Sequence, residues 1–319
     1  MLVGRRPVVE ADDLIAQLRV PPHFFDATFD TYRPDPAFPS QSQARDRVRS
    51  FAQGAKGRRR PSSGLGLYLD GGFGVGKTHL LAAIAESVGE GAAFGTFVEY
   101  THLVGALGFV QARKALAAFK VVCIDEFELD DPGDTVLMAR LMRELADSGV
   151  ALATTSNTLP ESLGQGRFAA TDFAREIQAV SRVFEVITID GPDYRHTGAL
   201  AFAQASSEDV ESVATRWGGT VAPWPDLVED LAHVHPSRLG AYVEGVRWLG
   251  LTDVAPLSDQ SRALRVVNLV DRLYDADVRV VASGASLGDI FPADMLEGGF
   301  KKKYFRALSR LASMNAGDL

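Results

Sequence analysis

The chain has a single cysteine, Cys123, so no internal disulfide can staple it. Its place within the apolar stretch 121–124 marks it as a small core residue rather than a redox thiol. No uninterrupted apolar run approaches the roughly 18 residues that a membrane helix needs. Arg5 and Arg6 are not followed by the apolar segment of an export signal. Positive charge is also scarce: 33 Lys and Arg stand against 41 Asp and Glu, a formal charge of −8. That balance disfavours indiscriminate adhesion to nucleic acid or anionic lipid and leaves room only for local basic patches. These absences together lead us to expect a cytoplasmic protein.

What is present is a globular composition, 46% hydrophobic and 23% charged over 319 residues, long enough for two domains. Residues 10–18 read as a short helix. The proline- and aromatic-rich stretch 21–36 reads as a strap lying on a core. A helix is expected over 42–52, and 55–63 is a loop by composition. From residue 65 the chain alternates between strands and helices. Strands are expected at 65–70, 93–100, 121–124, 150–155 and 184–189. Helices are expected at 77–87, 103–118, 135–147 and 172–180. This alternation specifies a parallel sheet sandwiched between helices. Residues 191–225 break the rhythm and read as irregular. A shorter series resumes beyond them: a helix over 239–245, a strand over 246–251, a helix over 261–274, a strand over 278–283 and a terminal helix over 302–314. The segment beginning at Val121 can be laid without a gap on the one beginning at Leu249, bringing Asp125 onto Asp253. A second parallel strand–helix–strand unit is therefore expected in 246–283.

Between the first strand and its helix lies Gly71-Gly72-Phe73-Gly74-Val75-Gly76-Lys77-Thr78, which fits G-x-x-x-x-G-K-[ST]. Glycines let backbone N–H groups converge on phosphate oxygens at a helix N-terminus, and His79 continues that turn. Lys77 is placed to reach the β- and γ-phosphates of a nucleoside triphosphate, and the Thr78 hydroxyl to ligate Mg²⁺. The run Val121-Val122-Cys123-Ile124 then carries Asp125 and Glu126 to a strand end. There Asp125 suits the Mg²⁺ shell, and Glu126 suits a general base that polarises the attacking water. Asn157, ending Thr154-Thr155-Ser156, is a candidate contact to water or the γ-phosphate. Arg167 is the candidate that supplies positive charge to the transition state, with Arg182, Arg306 and Arg310 as further candidates. The basic run 56–60 reads as a solvated linker. His233 and His235 lack partners at metal-ligand spacing.

The segments GGFGVGKT preceded by GLYLD, CIDEF, TTSN, VNLVDRLYD with VRVVASG, and RALSRL resemble those of the ZapE family. That family comprises AAA+-type ATPases of bacterial cell division, with mitochondrial relatives. The resemblance, which runs from about Pro39 onward, implies an AAA+-like P-loop NTPase, and the pattern along the chain divides it into a strap (1–38), an ATPase core (39–190), an irregular insertion (191–232) that has no counterpart in the family pattern, and a C-terminal α/β segment (233–319). It implies ATP and Mg²⁺ as ligands and hydrolysis coupled to a protein partner, FtsZ, with recruitment to the division site. Ring-like homo-oligomers are common in the class. The arginine-bearing segment after Asn157 is spaced differently from the enterobacterial pattern. The competing readings are a nucleic-acid-directed ATPase such as a helicase loader, which the acidic balance disfavours, and a switch without turnover, which Glu126 disfavours.

Overall fold

The computed structural model describes residues 2–7, 11–57, 66–72, 74–127, 132–160, 163, 178, 182, 184–191, 202–203 and 205–315. The chain divides into two units. One comprises Glu10–Val20 and Phe24–Tyr194; the other comprises Met1–Val9, Pro21–His23 and Arg195–Leu319.

In the first unit, β1 (Gly66–Gly71), β2 (Ala92–Thr96), β3 (Val121–Asp125), β4 (Ala151–Ser156) and β5 (Phe184–Ile189) form a sheet of order β2-β3-β4-β1-β5. All of its pairings are parallel. Side-chain alternation explains why these strands read as unbroken apolar runs. On β3, Val122 and Ile124 join one core with Phe97, Leu103 and Met142, while Val121 and Cys123 join the other with Leu80 and Ile84. Both faces are covered, so both sets of alternate residues must be apolar. Among the described residues, α1 (Ala11–Ala16), α4 (Phe97–Leu107), α5 (Phe109–Leu116) and α6 (Pro132–Asp147) contribute to the first core. The second is covered by α2 (Pro39–Lys56) and α3 (Lys77–Val88). Residues 80–85 of α3 are all buried, as expected of a helix enclosed on every side. Cys123 is fully buried, and burial pushes its thiol pKa up, reinforced by the charge of Asp125; it is a packing residue.

Two boundaries differ from expectation. Residues 97–100 are helical rather than strand, because Thr96 and Glu99 close a reciprocal capping box that starts α4 at Phe97. The helix expected over 103–118 breaks at Gly108, whose φ of 75° ends α4 and opens α5. The helix expected over 172–180 lies outside the described residues.

The second unit holds a three-stranded parallel sheet of order β6-β7-β8, formed by Thr220–Pro223, Trp248–Val254 and Arg279–Gly284. Its helices are α7 (Ser207–Arg216), α8 (Trp224–Leu231), α9 (Leu239–Val243), α10 (Gln260–Asp275), α11 (Ala293–Glu297) and α12 (Lys301–Met314). The expected parallel unit within 246–283 is present as β7-α10-β8. The stretch 191–232 is not irregular throughout, since it contains α7, β6 and α8. Ser206 and Asp209 make a capping box that sets α7, a local signal the composition of the stretch obscured.

Candidate functional site

In an open parallel sheet, ligands bind beyond the carboxyl ends of the strands, and the order of this sheet decides which ends meet there. β4 lies between β1 and β3, so the residues ending β4 stand between the loop after β1 and the carboxylates after β3. The loop turns into α3 through Gly74 and Gly76, both with positive φ (81° and 86°). A Cβ at Gly76 would lie 2.5 Å from Cε2 of Tyr32, so that position admits only glycine on both counts.

Lys77 is 8% exposed, and its ammonium donates to the carbonyls of Gly71 (2.7 Å) and Gly72 (2.5 Å) and to Asn157 Oδ1 (2.8 Å). The lysine of the loop and the amide ending β4 are therefore direct partners. Thr78 Oγ1 lies 3.2 Å from both carboxylate oxygens of Asp125, which is 4% exposed. A hydroxyl and a carboxylate, both hard oxygen donors, fit Mg²⁺. That ion takes one or two protein carboxylates and fills its remaining positions with phosphate oxygens and water. No group of three or more His, Cys, Asp or Glu suited to a metal occurs among the described residues.

Glu126 follows Asp125 in the left-handed region (φ 55°), which costs a non-glycine residue of the order of 1–3 kcal/mol. Its N–H donates to Thr155 Oγ1 (3.0 Å), and the next N–H, of Phe127, donates to the Thr155 carbonyl (2.7 Å). The Thr155 hydroxyl itself donates to Asp125 Oδ1. Sequence reading singled out Asn157 in this strand and passed over Thr155. The available signal was the pair of hydroxyls preceding Ser156, but their relevance depends on β4 being next to β3.

The N-terminal strap is the other contributor that sequence reading did not assign to the site. The Tyr32 hydroxyl donates to the Val75 carbonyl (2.8 Å), and burial raises its pKa to about 12, so it remains a donor at neutral pH. His79 Nε2 lies 2.8 Å from the Thr28 carbonyl and 3.3 Å from Thr31 Oγ1, so Nε2 carries the proton. Gln41 accepts from the Asp35 N–H (2.8 Å) and donates to the Asp190 carbonyl (2.9 Å). A cavity of about 140 Å³ opens here, lined by strap residues including Tyr32 and Asp35 and by Val75 and His79.

The remaining expectations concern one aromatic of the loop and four arginines. Phe73 and Arg167 lie outside the described residues. Arg182 is exposed. Arg306 and Arg310 both donate to the carboxylate of Asp271, at 2.6 Å from Arg306. They are only 13% and 15% exposed and belong to the core of the second unit. Their expected role over a nucleotide gives way to this buried charge cluster. Asp271 stands 35 and 39 residues from the two arginines it pairs with, so linear reading could not join them.

A family model described as AFG1-like ATPase matches residues 8–223 and 229–319. The chain is 28% identical over 300 residues to cell division protein ZapE of Escherichia coli (strain K12), covering 79% of this chain and 78% of that one. It is 24% identical over 203 residues to lactation elevated protein 1 homolog B of Danio rerio, covering 50% and 39% of the two chains. Among solved structures it is similar to DnaI, with a TM-score of 0.44 and 20% identity over 54% of this chain and 93% of that one. It is also similar to replication initiator DnaA bound to AMPPCP and single-stranded DNA, with a TM-score of 0.42 and 12% identity over 80% and 82%. No helix among the described residues is long and apolar enough to cross a membrane. Because the family match runs through both units and is not confined to the widely shared phosphate loop, the chain as a whole belongs to the AFG1-like ATPase family.

Proposed function

We propose that this protein is a Mg²⁺-dependent ATPase that couples hydrolysis to action on a protein partner in cell division. The observation that carries the reading is that Lys77 meets Asn157 and Thr78 meets Asp125 at the ends of neighbouring strands, with Glu126 the next residue in the chain. The backbone N–H groups of the loop from Gly71 to Thr78, Phe73 included, and the N-terminus of α3 receive the phosphates. Lys77 exchanges its carbonyl partners for β- and γ-phosphate oxygens, and Asn157, its present partner, contacts the γ-phosphate or the attacking water. Thr78 and Asp125 hold Mg²⁺, which supplies neutralisation of the charge on the phosphate oxygens. Glu126 orients a water and takes its proton. His79 and Tyr32 keep the strap against the loop, and the cavity they line takes the remainder of the nucleotide.

Lys77→Ala is expected to lower turnover by about 10²-fold or more, as loss of one preorganised charge on a transferring phosphoryl group does. Phosphate release with and without Mg²⁺ measures it, and turnover that persists in the variant would remove the reading. ZapE of E. coli is a cell division protein, and the partner we propose on family grounds is FtsZ, with the protein recruited from the cytoplasm to the division site. Stimulation of turnover by single-stranded DNA but not by FtsZ would instead favour a nucleic-acid-directed ATPase.

Arg167 is proposed as the arginine that completes the site from a neighbouring copy in a homo-oligomer. Mixing Arg167→Ala chains with wild type is then expected to reduce turnover more steeply than the fraction of variant added. A strictly proportional loss would rule out action between copies.

A further inference from the structure

The hydroxyl of Thr155 bonds both the carboxylate of Asp125 and the backbone of Glu126, the two acidic residues that the proposed chemistry needs, and neither family resemblance nor motif assigns it a task. Thr155 is 2% exposed, in the sheet interior, at the carboxyl end of β4. A threonine hydroxyl has one proton to give and lone pairs to receive. Here the proton goes to Asp125 Oδ1, and a lone pair takes the N–H of Glu126 at 3.0 Å. The preceding residue does something different: the Thr154 hydroxyl donates to the Ile124 carbonyl (2.8 Å), a contact internal to the sheet.

We infer that Thr155 is a positioning residue that sets the carboxylate of Asp125 and the backbone of Glu126 at once. This rests on the proposed Mg²⁺-dependent ATPase reading. By engaging Oδ1 of Asp125, Thr155 fixes the rotation of a carboxylate whose two oxygens both lie 3.2 Å from Thr78 Oγ1. By accepting from the N–H of Glu126, it offsets the unfavourable left-handed backbone (φ 55°) that turns Glu126 out of the strand direction. The Thr155 carbonyl takes the following N–H, of Phe127, at 2.7 Å and locks the turn from the other side. A partner that orients a metal-holding carboxylate without touching the metal contributes through preorganisation.

The test compares Thr155→Val, which keeps the shape and removes the hydroxyl, with Thr155→Ser, which keeps the hydroxyl and removes the methyl. The first readout is the Mg²⁺ concentration needed for half-maximal binding of a fluorescent ATP analogue. The second is kcat for ATP. In Thr155→Val the Mg²⁺ requirement is expected to rise and kcat to fall, each by about 10–100-fold, with KM for the Mg²⁺–ATP complex less affected. Thr155→Ser is expected to restore most of both. If Val leaves both readouts at wild-type level, or if Ser fails exactly as Val does, the inference is overturned. Should Thr155→Val not fold, Thr155→Ala is measured in its place with the same expectations. A wild-type protein that does not turn over ATP would refute the proposed hydrolysis, while the Mg²⁺ requirement for binding would still decide the role of Thr155.

Discussion

Glu126→Gln is expected to slow ATP turnover by about 10²–10⁴-fold, the contribution typical of a positioned general base, while nucleotide binding survives. The reason lies in what the substitution leaves untouched. The contacts that hold residue 126 in place are made by its backbone N–H and by that of Phe127, both to Thr155, so the turn is preserved. Gln matches Glu in size and can still hydrogen-bond a water, but it cannot take the proton from it. Lys77, Thr78 and Asp125 remain available for the phosphates and metal. The variant should therefore retain ATP in a form recoverable as intact triphosphate, seen by quenching after a single round of binding. Undiminished phosphate release would place the base elsewhere. The same trapped form is suited to capturing FtsZ, and its failure to retain FtsZ would count against that partner alone.

The second large effect concerns stability rather than chemistry. Asp271 lies in α10 with 8% of its side chain exposed, against Arg306 and Arg310 of α12. The Arg310 guanidinium also lies 5.0 Å from the ring centroid of Tyr274, which in turn bonds His23 at 2.8 Å. Burial acts to raise the Asp271 pKa, but the charges of Arg306, Arg310 and Arg272 outweigh it and hold the carboxyl below its ordinary value. Asp271→Ala leaves two guanidiniums buried without their shared partner, and a cost of about 3–5 kcal/mol is expected. All three tryptophans, Trp217, Trp224 and Trp248, lie in the same unit, so tryptophan emission follows its unfolding directly. A fall of the midpoint by about 10 °C or more should be seen. Replacing the whole cluster by Asp271→Leu, Arg306→Met and Arg310→Met should recover much of the loss, because the apolar substitutes carry no desolvation cost. An unchanged midpoint in Asp271→Ala would show that the cluster contributes nothing net.

The same carboxylate makes stability depend on pH with a definite sign. Its native form binds the proton more weakly than the unfolded chain does, so acid favours unfolding. The contribution is complete above the unfolded value of about 3.9 and fades as pH falls below it, through the lower native value. Asp271→Ala should flatten this part of the acid unfolding curve. An equally steep curve would assign the acid sensitivity to other carboxylates.

How much was legible in the sequence depends on the distance over which each feature is encoded. The phosphate loop, the apolar run ending in Asp125 and Glu126, and the alternation of strands and helices are local patterns. A glycine that must adopt positive φ, or a strand buried on both faces, leaves its mark within a few residues. So do the β7-α10-β8 unit and the burial of Cys123. The misplaced start of α4 was also local, since Thr96 and Glu99 form a capping box, but the β-prone residues Phe97, Val98 and Tyr100 masked it.

The order of the strands was not encoded in any one segment. Placing β4 between β1 and β3 puts Asn157 beside Lys77 and Thr155 beside Asp125, and only the packing of the whole sheet selects that order. The same holds for Tyr32 over Gly76 and for Asp271 between Arg306 and Arg310, where partners are dozens of residues apart. By itself the sequence determined the chemistry available, a phosphate loop with a carboxylate pair, because each is written in a few consecutive residues. Tertiary structure decided which hydroxyl orients the carboxylates, which aromatic closes on the loop and which arginines are consumed in a core. Those choices arise when distant groups compete to satisfy one another's charge and hydrogen-bonding needs away from water.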